Sequence, residues 1–176
     1  MKLMFEKIRD LESLYVRHLR MLLSAAELIA IKTPFLAENT SDAELRKLFQ
    51  GYALRSRDQS TVIRGLLERA SSNSDPMKCR VVYALFDEAE DFIQDASHDE
   101  VRNAIVIAAA QRIKHYEIAI YGATTEFARV LGRDEDARKP SVSVIGLVVL
   151  RIHVIHVMAI SSFDAVQCGR PSPGPS

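Results

Sequence analysis

Apolar residues recur at intervals of three and four along most of this 176-residue chain. Phe5, Ile8, Leu11, Tyr15, Leu19, Leu22, Ala26 and Ile29 or Ala30 share one face of a helix expected over 4–33. Thr40-Ser41-Asp42 then offers an N-cap with Glu44 in the turn that follows, and a second helix is expected over 42–70. SSNSDP at 71–76 is a turn by composition. A shorter helix follows over 77–96, and a fourth over 99–131 stops at Gly132, a residue suited to a C-terminal cap. No stretch before residue 140 alternates as a strand would. Long amphipathic helices joined by short turns predict an all-α, up-down bundle in which a short helix connects the long ones.

One of these helices carries the candidate chemistry. NAIVIAAAQRIKHYEIAIYG, residues 103–122, sets Gln111, Lys114, His115, Tyr116 and Glu117 into the middle of an apolar run. An unpaired buried polar group costs about 1–3 kcal/mol, so partners for these groups are expected nearby. His115 and Glu117 lie two residues apart and point about 200° away from each other on a helix, so one ion would not hold both. Lys114 and Glu117 lie three apart and can face each other. Their spacing allows either a direct pair or a Lys114 that reaches out to solvent.

The pattern AAAQxxxHYEIAxYG at 108–122 resembles the signature of the YciE/YciF family, bacterial stress-associated proteins with a ferritin-like four-helix fold. The likeness runs over about 8–138. It includes Leu14-Tyr15-Val16 to Leu23-Ser24-Ala25, a bend at Pro34, Ala43-Glu44-Leu45 to Phe49, and Lys78-Cys79 with Leu85 and Glu88-Ala89-Glu90. The resemblance implies a ferritin-like bundle and a di-metal site. Its ligands would be a Glu, an ExxH pair, a Glu and a final acidic pair, on four successive core helices.

This chain departs from that ligand set. The first-helix Glu of the family falls on Ala26, with Glu27 displaced by one position. The ExxH stretch falls on Leu54-Arg55-Ser56-Arg57, and the Glu before HYE falls on Lys114. Glu117 is retained. The family's Glu-rich last helix is replaced by KPSVSVIGLVVLRIHVIHVMAISSF. Glu27 and Glu117 are thus residual metal ligands, and Ala26, Arg57 and Lys114 stand where ligands are expected. An ammonium at Lys114 would repel a divalent cation.

Composition narrows the function further. Twenty-three Lys and Arg balance twenty-three Asp and Glu, which argues against nucleic acid as a partner, because phosphate binding needs a basic surface. Near-zero net charge removes one protection against self-association. Charge is nonetheless segregated, with seven acidic residues and no Lys or Arg over 87–100, against a net-basic second helix. These are either complementary contact faces, within or between chains, or two solvated faces. Cys79 and Cys168 form neither a disulfide framework nor a zinc motif. No GxSxG, phosphate loop, HExxH or EF-hand pattern is present. Tyr116 and Tyr121 are expected as core or rim tyrosines, His18 and His98 as surface groups, and Met4, Met21 and Met77 as filling. The charged N-terminus lacks a secretory h-region, so a cytoplasmic location is expected.

The tail is of another character. Residues 142–163 are rich in Val and Ile and approach a membrane span in length, but Arg151, His153 and His156 make insertion costly. HVIHV suits a helix with two imidazoles on one face or a polar-interrupted strand. GRPSPGPS is disordered by composition. A change of reading frame near Arg138 would explain the lost helix, and translation of the other frames would test it.

These readings combine into a ferritin-like bundle over 1–139, an apolar segment over 140–163 and a tail over 164–176. The expected function is a stress-associated structural or interaction module with a degenerate di-metal site, without a cofactor and without enzymatic chemistry. Loss of a core helix would leave an apolar groove, hence an expected homodimer, or an aggregation-prone monomer where the tail does not fill the gap. Two alternatives stay open. One is an iron- or manganese-binding protein of ferroxidase or peroxidase type using Glu27 and Glu117. The other is a bundle anchored to a membrane by 142–163.

Overall fold

The computed structural model describes residues 7–70, 72 and 75–138. They form α1 (Leu11–Glu38), α2 (Ala43–Arg69), α3 (Arg80–Asp95) and α4 (Asp99–Val130), with no strand among the described residues. The readings of 140–163 and of 164–176 lie outside these residues.

Helix ends follow local chemistry. The Asp10 carboxylate accepts from the Ser13 backbone N–H at 2.8 Å, and Ser13 Oγ accepts from the Asp10 N–H. This capping box starts α1 at Leu11 rather than at residue 4. Ile8, counted above on the core face, is 48% exposed. Nor does α1 stop before Pro34. The proline forgoes one intrahelical bond, but the helix runs four residues further and buries Leu36 and Ala37. Asp42 caps α2 through Glu44 and Leu45 N–H at 2.8 and 3.0 Å.

Beyond α4, Gly132 has φ +70°. Its N–H reaches Arg129 O, and the N–H of Arg133 reaches Ala128 O at 2.8 Å, a Schellman closure. Gly132→Ala is expected to lower stability by about 1 kcal/mol, through the left-handed backbone alone. An urea melt of the variant checks this, since a Cβ there would touch nothing within 4 Å.

Contacts fix the topology. α1 packs along both α2 and α4, and α3 packs on α4 and on α1. Glu27 meets Arg64, and Asn103 meets Thr40 and Ser41, so α1 runs antiparallel to both long neighbours. The chain after α4 turns back and docks. Asp136, 5% exposed, takes Arg69 Nε at 2.9 Å, the Tyr15 hydroxyl at 3.5 Å and Arg133 at 3.6 Å.

The core divides in two. One cluster joins Ile29, Leu36, Phe49, Phe86, Val106 and Ile113; the other joins Tyr15, Leu19, Leu22, Ile63, Leu66 and Tyr121. Partly buried Tyr116 packs against both.

Candidate functional site around Glu117

The polar group buried in mid-α4 is Glu117, 1% exposed. One of its oxygens, Oε2, accepts two hydrogen bonds. Lys114 Nζ donates at 2.8 Å from one turn earlier on α4. The Tyr52 hydroxyl donates from α2. The Lys114 ammonium also lies 3.2 Å from the centre of the Tyr52 ring. The lysine is thereby held by a carboxylate and by the negative face of an aromatic ring, two features that favour a cation. Its side chain is 12% exposed, so it pairs with Glu117 inside the bundle instead of reaching solvent.

Burial and charge work against each other here. Burial pulls the Lys114 amine down to about 8, and Glu117 resists that pull. Burial pushes the Tyr52 phenol well above its ordinary value, and the adjoining carboxylate pushes it the same way. Tyr121, one turn beyond Glu117, is raised by the same two causes in the same order. Tyr52 and Tyr121 therefore stay protonated, and each donates: Tyr52 to Glu117, Tyr121 to Gln59 Oε1 at 3.3 Å.

The remaining expected site residues lie elsewhere. Ala26 is buried in the core cluster around Tyr121. Glu27 pairs with Arg64 at the α1–α2 surface, so the two residual carboxylates have separate partners. Leu54 is 60% exposed and Arg57 is exposed, which turns that stretch of α2 toward solvent. Tyr52 and Ser56 hold the buried face instead, and Ser56 Oγ has no hydrogen-bond partner among the described residues. His115 is exposed, on the side of α4 away from Glu117. Among the described residues no three His, Cys, Asp or Glu side chains gather to hold a metal.

Tyr52 escaped the sequence reading. It sits at core spacing with Leu45, Phe49, Ser56 and Ile63, and such a tyrosine reads as filling until the α4 carboxylate is placed opposite. His18 is half-buried. It packs edge-on against Phe127 with centroids 5.0 Å apart, and its Nδ1 lies 3.3 Å from Thr124 Oγ. The Thr124 proton is given to Ile120 O, so Nδ1–H is the donor to threonine. Cys79 is buried, and its thiol lies 3.2 Å from the Tyr116 hydroxyl.

Comparison with known proteins places the bundle. Residues 10–139 match the family described as Domain of unknown function (DUF892). Protein YciF of Escherichia coli (strain K12) is 31% identical over 132 residues, which cover 74% of this chain and 80% of that protein. The crystal structure of the E. coli stress protein YciF superposes with a TM-score of 0.83 at 26% identity, covering 88% of this chain and 98% of the other. YcfI from Rhodopseudomonas palustris shares the fold, with a TM-score of 0.81 at 21% identity over 85% of this chain and 95% of its own. The chain belongs to the DUF892 family and has the all-α, YciF-like fold.

Proposed function

We propose that this protein is a YciF-like stress-associated structural or interaction module whose di-metal centre is degenerate. The observation that carries the reading is the Lys114 ammonium on Glu117, 2.8 Å from its carboxylate and stacked on Tyr52. A di-iron or di-manganese centre needs about four carboxylates and two imidazoles converging between helices. The groups that meet here are one carboxylate, one phenol and one ammonium. Such a donor set does not fit the metal pair, and the fixed positive charge opposes a divalent cation. Lys114 acts in its place as a tethered monovalent cation that neutralises Glu117 and ties α4 to α2 through Tyr52. The other parts of the reading are a cytoplasmic location and self-association as a homodimer. No described helix is long and apolar enough to cross a membrane.

If the site is built around an ammonium, an added ammonium will restore it. Lys114→Ala is expected to lower the melting temperature, and propylammonium is expected to recover part of the loss. Manganese(II) is expected to leave the wild-type melting temperature unchanged. A rise with manganese in the wild type, lost in Glu117→Ala, would instead bring forward the metal-binding reading with a rearranged ligand set.

A further inference from the structure

Lys114 and Glu117 together are neutral, yet the edge of their centre carries a further positive charge. α2 and α4 do not pack backbone to backbone; among the described residues, side chains bridge them, Tyr52 to Glu117 and Tyr121 to Gln59. The order of these two bridges makes the helices parallel. Lys114, one turn before Glu117, is therefore level with the turn of α2 that ends at Tyr52, and Gly51 lies in that turn. Arg55, one turn further along α2, folds back over Gly51, where a Cβ on residue 51 would come within 3.2 Å of its Nη1. The guanidinium so placed is felt by both neighbours. It opposes the charged form of the Lys114 amine and favours the charged form of the Tyr52 phenol. Arg55 is exposed and makes no hydrogen bond or ion pair among the described residues, Asp58 included. Lys114 is not fully used either. An ammonium has three N–H donors; Glu117 takes one and the Tyr52 ring faces another.

We propose that Arg55 and Lys114 bind a small phosphate-type oxyanion at the α2–α4 edge. This inference rests on the reading of Lys114 as a built-in cation and adds a ligand to the same centre. Glu117 balances only one of the two positive charges, so an anion can balance the other. A guanidinium presents two parallel N–H groups to two oxygens of one anion. A third oxygen is then left for the remaining N–H of Lys114. Gly51 is what allows the arrangement, because a side chain there would press on the guanidinium and turn it outward. Basic surface alone does not make the site. Arg57 is also exposed on α2, but it lies two residues on, about 200° around the helix from Arg55.

The test titrates inorganic phosphate into the full-length protein at fixed pH and ionic strength and follows binding by calorimetry. Saturable binding of one phosphate per chain is expected. Arg55→Gln should weaken it at least about tenfold, the scale of a hydrogen bond to a charged group. Gly51→Ala keeps every charge and favours the helix, so this variant should fold at least as well as the wild type. Its added methyl displaces the guanidinium and should still weaken binding several-fold. Arg57→Gln should bind as the wild type does. Acetate, which has no third oxygen for Lys114, should bind more weakly than phosphate. Circular dichroism verifies that each variant is folded. Absence of saturable phosphate binding overturns the proposal. So does an equal loss in Arg55→Gln and Arg57→Gln, which marks diffuse attraction to α2. Wild-type affinity in Gly51→Ala, or acetate binding as tightly as phosphate, also overturns it. Metal content on the same samples separates the two readings. Stoichiometric metal in the wild type would sink the built-in cation itself, whereas a metal-free protein that ignores phosphate would sink the anion site alone.

Discussion

Glu117→Leu is expected to lower stability by about 3–5 kcal/mol, the largest effect of any single polar substitution in the chain. The loss is not the worth of the ion pair itself. It is the cost of leaving Lys114 and the Tyr52 hydroxyl, 12% and 1% exposed, without the oxygen they share. The double variant Lys114→Met, Glu117→Leu should recover most of the loss, because it removes both charges and keeps the volume filled. Urea unfolding of wild type, both singles and the double measures this coupling. Coupling below about 1 kcal/mol would mean that the pair is screened by water and that the polar centre is not closed. The pH dependence has a definite sign. Folding holds the Lys114 amine down to about 8, against 10.5 in the unfolded chain. Between those values the unfolded chain binds a proton that the folded chain has released, so stability rises with pH across that window. Below it, the folded protein bears the cost of a buried ammonium. Lys114→Met should abolish the slope.

Phe86→Ala is expected to cost a further about 3–5 kcal/mol by opening a cavity. The effect is large because α3 has little else to hold it. Only Val82, Phe86, Ala89 and Ile93 are buried, along one stripe of a 16-residue helix. The ion pairs to Arg112 and Lys32 lie at the surface and add little. Phe86, 1% exposed, is the largest of the four and joins α3 to the cluster containing Ile29, Phe49 and Ile113. Amide exchange should show faster opening of α3 than of α1 or α2 in this variant. A loss below about 1 kcal/mol would mean that α3 is an appendage rather than part of the core.

Helix order and fold class were legible because long amphipathic periods are a strong signal, and because two ends carry unambiguous chemistry. Asp42 and Gly132 place the start of α2 and the end of α4 where the chain's pattern puts them. α1 was mislocated at both ends. The capping box at Asp10 and Ser13 competes locally with the apolar pattern before it, and Pro34 reads as a stop unless the burial of Leu36 beyond it is known. Half of the site was legible too. Lys114 and Glu117 stand out as polar residues one turn apart in an apolar run. Their partner did not, because Tyr52 lies 65 residues away in sequence and its meeting with Glu117 is a tertiary fact. Arg57 was drawn toward the site by alignment to a family motif, whereas the rotation of α2 presents Tyr52 and Ser56 there and leaves Arg57 exposed. The segregation of charge was plain from composition along the chain. That α2 and α3 do not pack on each other, so that their opposite signs are not satisfied between them, required the fold.

In the proposed reading Lys114 neutralises Glu117 and closes this centre to a divalent metal. The most direct measurement is the metal content of the full-length protein after loading with iron(II) or manganese(II) and desalting. No stoichiometric metal is expected in the wild type, and no change in Glu117→Gln. Two ions per chain, lost in Glu117→Gln, would contradict it and show that the ligand shell is built from other residues around the same carboxylate.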